Sequence, residues 1–183
     1  MDMNAKILHE GKFLRLMAKD GWEYIQRTNC DGIAVIVALT RDRRLLLVQQ
    51  YRLPVGADVL ELPAGLIDDG MGPLGESGLE AARRELLEET GYASDNWRLV
   101  FQGPGGAGAS SDILKFYLAL DAEKRREPGG DPSENITVHA VPVESVPSWI
   151  AGQQAQGRPA DPKIYAGLYF LALYNKDSAD DSA

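Results

Sequence analysis

Apolar and polar positions divide the chain into short runs that change in period along its length. Residues 5–9, 13–17 and 22–27 are brief stretches separated by Glu10-Gly11-Lys12 and Lys19-Asp20-Gly21, which predicts three short strands joined by turns. Phe13, Leu14, Leu16, Trp22, Tyr24 and Ile25 are too few to make a core of their own, so they are expected to cover another sheet or a partner subunit. Residues 33–39 and 45–50 are aliphatic runs around the charged segment Thr40-Arg41-Asp42-Arg43-Arg44 and predict a central hairpin of core strands. A short strand at 59–62 then leads into Pro63-Ala64-Gly65 and a Gly- and Asp-rich loop. The next segment, 78–90, has helical period, with Ser77 and Glu80 spaced for a capping box and Gly91 as its stop. Strands at 97–102 and 113–120 flank a glycine-rich connection at 103–111, and a polar loop at 127–135 precedes a strand at 136–143. A short helix at 145–151 and a helix capped by Asp161-Pro162 and running through Tyr174 complete the pattern.

Strands before and after one long helix, with a second helix near the end, define an α+β fold arranged as an α/β/α sandwich. The expected organisation is an additional N-terminal antiparallel sheet at 1–30, a main domain at 31–175 and a flexible tail at 176–183. No internal repeat or long flexible linker divides the chain.

Composition narrows the function. The chain's 183 residues, 44% of them hydrophobic, suffice for one globular domain with a modest appendage. Its 27 acidic and 19 basic side chains leave a formal charge of -8, which supplies no general basic field for long nucleic acids. Cys30 is the single cysteine, so no internal disulfide can form, and Met1-Asp2-Met3-Asn4 carries no secretory pattern. The longest apolar run, about 33–39, falls far short of the roughly 20 residues that span a bilayer. These features predict a cytoplasmic protein without membrane attachment.

The candidate chemistry lies in the helix. Glu88 and Glu89 follow Glu85 by three and four positions, which turns the three acids towards one side while Leu79, Ala82 and Leu86 can face the sheet. Such a cluster is either a solvated acidic face or a site for a divalent cation with hard oxygen ligands, Mg²⁺ above all, or Mn²⁺. Arg84 can likewise form an ordinary surface pair with Glu80 or Glu88.

Gly70, Glu76, Arg84-Glu85, Glu88-Glu89 and Gly91-Tyr92 together form a spaced pattern that closely resembles the Nudix box, with Glu61-Leu62-Pro63-Ala64-Gly65-Leu66-Ile67-Asp68 upstream. The match spans roughly 33–174 and is most similar to the ADP-ribose and nucleoside-diphosphate-sugar pyrophosphatase branch, whose extra sheet the N-terminal segment resembles. Gly70 keeps the strict interval to Glu76, whereas the Pro-Ala-Gly wording selects Gly65 as the loop glycine.

The resemblance implies hydrolysis of the pyrophosphate in ADP-ribose or a nucleoside-diphosphate sugar, giving a nucleoside monophosphate and a sugar phosphate. It implies Glu85, Glu88, Glu89 and the Ala64 carbonyl as metal ligands, and Arg84 as the residue that orients the carboxylates. It places the catalytic base in the loop before the last strand, at Glu134, with Glu88 and Asp131 as the other candidates. Arg52, at the end of Val48-Gln49-Gln50-Tyr51-Arg52, is implied as a phosphate ligand, its alternative being a surface salt bridge. Ser111 and Asp112 are implied at the substrate-side loop. Trp22 and Arg27 would contact the base if the N-terminal sheet is exchanged across a homodimer. A nucleotide sensor without turnover, or a hydrolase of nucleoside triphosphates or mRNA caps, is the alternative function.

Overall fold

The computed structural model describes residues 5–70, 73–129 and 135–180, with side chains through Lys176. Strands β1 (Lys6–Glu10), β2 (Leu14–Lys19) and β3 (Trp22–Arg27) form a separate antiparallel sheet in that order. Every residue of β1 is exposed. The sheet meets the rest of the chain through hydrogen bonds from Ile25 N to Ala109 O and from Ser111 N to Ile25 O.

The main sheet contains β4 (Ile33–Thr40), β5 (Arg44–Arg52), β6 (Ala57–Glu61), β7 (Ala64–Leu66), β8 (Tyr92–Ala93), β9 (Asn96–Pro104), β10 (Ile113–Lys124) and β11 (Thr137–Pro142). Its spine runs β11-β5-β4-β10-β8, with β6 beside β5, β7 beside β4 and β9 beside β10. Strands β4 and β10 are parallel and pair from Ile33 with Leu114 to Ala38 with Ala119. Both faces of β4 are covered, which explains its unbroken aliphatic run.

The expected hairpin of β4 and β5 exists only at its closed end, where Leu39 opposes Leu45. Beyond that pair the strands separate, and the chain from β6 to β7 fills the opening: β6 pairs with β5 and β7 with β4, while Pro63 O accepts from Ile36 N between them. An X-Pro bend brings no N–H of its own to the ladder, so Pro63 suits the point where one strand hands over to the next. This split places Ala64 and Gly65 beneath the acidic helix.

That helix, α1 (Gly78–Thr90), has both halves of its capping box: Glu80 N donates to Ser77 Oγ, and Ser77 N donates to Glu80 Oε2. It stops at Gly91, whose φ of 76° is left-handed and whose N–H donates to Leu87 O. Ser77→Ala is expected to cost about 1 kcal/mol, measured by denaturant melting. A midpoint unchanged from the wild type would show that the cap does not hold the helix start.

Two cores lie on opposite sides of the sheet. Ala81, Ala82 and Leu86 of α1 pack with Ala34, Ile36, Ala38, Leu46 and Ala119 on one side. On the other side, α2 (Val146–Ala155) and α3 (Lys163–Asp180) contribute Val146, Ile150, Ile164 and Leu171 to a core with Val35, Val37, Leu45, Leu47 and Leu118. The result is the α/β/α sandwich of an α+β fold. Helix α3 continues to Asp180, past Tyr174, because no Gly or Pro interrupts it there. No described helix is long and apolar enough to cross a membrane.

Candidate active site

Arg84 is the hub of the acidic helix. Its Nε and Nη2 grip the Glu76 carboxylate at 3.0 Å each, a fork-to-fork pair, and the Glu76 side chain is only 1% exposed. Nη1 reaches Glu85 Oε1 at 2.7 Å and Glu88 Oε2 at 3.2 Å, and Nη2 adds the Leu66 carbonyl at 3.3 Å. The hydrogen bonds to Glu76 hold the guanidinium protonated even more firmly than usual, outweighing the opposite pull of burial. Arg84 thus fixes three carboxylates and the end of β7 at once.

Glu85 hangs directly over the backbone of β7. A Cβ built on Gly65 would fall 1.9 Å from Glu85 Cδ and 2.0 Å from its Oε1, so the carboxylate occupies space that only glycine leaves. Burial pushes the Glu85 carboxyl above its ordinary pKa, opposed by Arg84 and reinforced by Glu88 and Asp69. Gly70 is a different case: its φ is +85° and an added Cβ would meet nothing within 4 Å. The two candidate motif glycines therefore have separate duties, Gly65 for close approach and Gly70 for a left-handed turn.

Glu89 is nearly inaccessible, at 4% exposure, and its Oε2 accepts from Ala64 N at 3.2 Å. Of Glu85, Glu88 and Glu89, Glu88 is the most open, with its side chain 39% exposed. Among the described residues no three His, Cys, Asp or Glu side chains are gathered closely enough to enclose a metal ion. The physical reason is visible in the pairing: Glu85 and Glu88 turn to Arg84 and Glu89 turns to Ala64 N. The donor set nevertheless fits a hard divalent cation, since it offers carboxylates of low exposure and a cradle at Gly65 that keeps Glu85 against β7. Glu88, held by a single longer contact, is the acid freest to turn.

A second group of expected residues meets between the N-terminal sheet and the main sheet. Arg27, Ser111 and Asp112 line a cleft of about 160 Å³ together with Cys30, Asp31 and Gly32. That volume holds a single ring rather than a whole dinucleotide-sized ligand. Arg27 Nε lies 3.5 Å from Asp112 Oδ2, a charge contact too long for a hydrogen bond, and the same buried nitrogen has no hydrogen-bond partner among the described residues. The cleft is tied to the carboxylates through the backbone. Asp31 N donates to Ile67 O and Ile67 N to Gly32 O, and the preceding Leu66 carbonyl is the one that Arg84 holds. The Cys30 thiol is pushed up in pKa by burial, as befits a small hydrophobe rather than a nucleophile.

Other expected residues stand apart. Trp22 is 68% exposed at the far end of β3. It is about 17 Å from Arg27 by strand rise. Arg52 is joined to Glu61, whose Oε2 accepts from Arg52 Nε at 2.6 Å. Asp131 and Glu134 lie outside the described residues. The chain on one flank of their loop is anchored at the helix, where Gly129 N donates to Glu88 O at 2.9 Å, and the other flank enters β11 at Thr137 opposite Gln49. Glu61 received no role from the sequence, although a single acid inside the apolar run 59–62 was the available signal.

The fold and this arrangement define a Nudix protein: residues 31–168 match the NUDIX domain, and the chain belongs to the Nudix family, in the class of Nudix hydrolases. It is 32% identical to the ADP-sugar pyrophosphatase of Mus musculus, across 96% of this chain and 88% of that protein. It is 29% identical to the ADP-ribose pyrophosphatase of Bacillus subtilis, across 78% of this chain and 72% of that one. A crystal structure of an ADP compounds hydrolase superposes with a TM-score of 0.71 at 20% identity, covering 96% of this chain and 94% of the other.

Proposed function

We propose that the protein hydrolyses the pyrophosphate of ADP-ribose or a related nucleoside-diphosphate sugar to a nucleoside monophosphate and a sugar phosphate. The observation that carries this reading is the Arg84 clamp, which sets Glu85 over Gly65 with Glu88 and Glu89 beside it. Similarity to the mouse and Bacillus pyrophosphatases supports the substrate class.

Glu85, Glu88, Glu89 and the Ala64 carbonyl would hold the metal, Mg²⁺ or Mn²⁺. Such a cation supplies Lewis-acid polarisation of phosphate oxygen and a more acidic bound water. Arg84 keeps the carboxylates aligned rather than touching substrate, because its donors are already committed to Glu76, Glu85, Glu88 and Leu66. Arg52 binds a phosphate oxygen pair through its guanidinium. Arg27, Ser111 and Asp112 receive one ring of the substrate in their cleft.

Glu134 takes the proton from the attacking water. Gly129, five residues before Glu134 in the sequence, is bonded to the backbone of Glu88, which supports a place for Glu134 near the acidic helix. Glu134→Gln is expected to lower kcat by about 10²–10⁴-fold while ADP binding is kept. An unchanged rate moves the role to Glu88 or Asp131.

The exposed apolar side chains Ile7, Leu8, Phe13 and Trp22 support a homodimer formed through the N-terminal sheet, in which Trp22 of one copy stacks on the base held by the other. An unpaired Cys30 supports a cytoplasmic setting. Product-resolved hydrolysis of ADP-ribose, ADP-glucose, GDP-mannose and UDP-glucose with Mg²⁺ tests the assignment. Release of AMP and ribose phosphate from ADP-ribose is the expected result. Binding without turnover across the panel would instead make the protein a nucleotide sensor.

A further inference from the structure

Arg52 and Glu61 lie on the face of the sheet that carries the acidic helix. Strand alternation shows this: Leu46 of β5 packs with α1, whereas Leu45 and Leu47 pack with the other core, so Val48, Gln50 and Arg52 share the Leu46 side. Glu61 opposes Val48 and points the same way, while its neighbours Leu60 and Leu62 belong to the opposite core. Arg52 itself opposes Ala57, four positions along β6 from Glu61. Its arm therefore runs back along the hairpin, past the Gln50 and Val59 pair, to reach Glu61.

The contact is made through one edge of the guanidinium. Nε donates to Glu61 Oε2 at 2.6 Å, and no described residue makes a hydrogen bond with Nη1 or Nη2. The Glu61 side chain is 11% exposed and that of Arg52 39%, so a sheltered carboxylate grips the inner edge of a fork whose outer edge is open. A guanidinium has five donors in one plane, and fixing it by Nε leaves the terminal pair aimed as a unit at two oxygens of one acceptor.

We propose that Glu61 is a positioning residue for phosphate binding: it locks the Arg52 arm along the β5–β6 hairpin and presents Nη1 and Nη2 to the pyrophosphate of the substrate. This rests on the phosphate role given to Arg52 above. Without Glu61 the arm keeps its charge but loses its direction, and the fork must be ordered anew each time a ligand binds.

Titration calorimetry with ADP on the full chain tests it, comparing wild type, Arg52→Ala, Glu61→Ala, Glu61→Gln and the Arg52→Ala, Glu61→Ala double variant, each with its melting temperature. Arg52→Ala and Glu61→Ala are each expected to weaken ADP binding at least about tenfold. The double variant should bind no worse than Arg52→Ala, within about a factor of two. Glu61→Gln, which keeps an acceptor oxygen but not its charge, should recover most of the loss and still bind about two- to threefold more weakly than wild type, a residual deficit that carries the comparison if the alanine variant does not fold. Additive losses, wild-type binding in the Glu61 variants, or tighter binding caused by release of a competing carboxylate would each overturn the proposal. So would an Arg52→Ala variant that binds ADP normally. If the expected binding pattern appears but ADP-ribose is not cleaved, the positioning role stands and the hydrolytic reading falls.

Discussion

Glu85→Gln is expected to lower kcat for ADP-ribose at least about a hundredfold, since groups that merely support a metal ligand already cost 10–100-fold when removed. The glutamine is nearly isosteric, so the helix start, the Leu86 contacts and the Glu76–Arg84 clamp are all retained. What disappears is a negative charge held over Gly65 in a site of low exposure. A neutral amide is a poor ligand for a hard divalent cation and leaves Arg84 with one acid fewer to balance. The decisive comparison is kcat across a Mg²⁺ titration together with the melting temperature. Near wild-type turnover at moderate Mg²⁺ would remove Glu85 from the catalytic set.

Gly65→Ala should do comparable damage from the other side of the same contact. The new methyl would sit 1.9 Å from Glu85 Cδ and 2.2 Å from Cγ, distances at which Glu85 or β7 has to move. Overpacking of this kind costs about 1–3 kcal/mol. At this chain length that corresponds to a fall of about 2–12 °C in melting temperature. Activity should fall much further than stability does, because the displaced atoms belong to the carboxylate proposed above to hold the metal. Gly70→Ala is the contrast. An alanine at φ +85° is strained, at about 1–2 kcal/mol, yet it touches nothing near the acids. It should melt lower and keep turnover within about threefold, a factor worth well under 1 kcal/mol of barrier. Equal activity in the two alanine variants would mean that the Gly65 approach is not needed for catalysis.

The features that could be read from the sequence were those written within a few residues. Helix α1 begins and ends where Ser77, Glu80 and Gly91 place its caps, and one helical turn suffices to group Glu85, Glu88 and Glu89 with Arg84. The pairing of β4 was not readable in this way. Two aliphatic runs around a charged turn suggest a full hairpin, but β4 finds its long partner in β10, some eighty residues on, and admits β7 where β5 was expected. Periodicity gives the face of a strand and not its neighbour. The same limit hid Glu61, because its meeting with Arg52 depends on the β5–β6 register and on an arm that lies back along it. The end of α3 was missed for a simpler reason: polar residues after Tyr174 suggest fraying, yet none of them breaks a helix.

The parallel pairing of β4 with β10 also has a consequence for the order in which the molecule can assemble. Helix α1 and its caps are local and can form as soon as residues 77–91 exist, on the sub-microsecond to microsecond scale of helix formation. The floor beneath it cannot. β4 is completed only when a strand from much later in the chain closes a long loop, a non-local step that slows folding. Until that strand arrives, the glutamates have a helix but no fixed distance to Gly65, so the acquisition of activity during refolding should lag behind the acquisition of helix and coincide with the docking of β10.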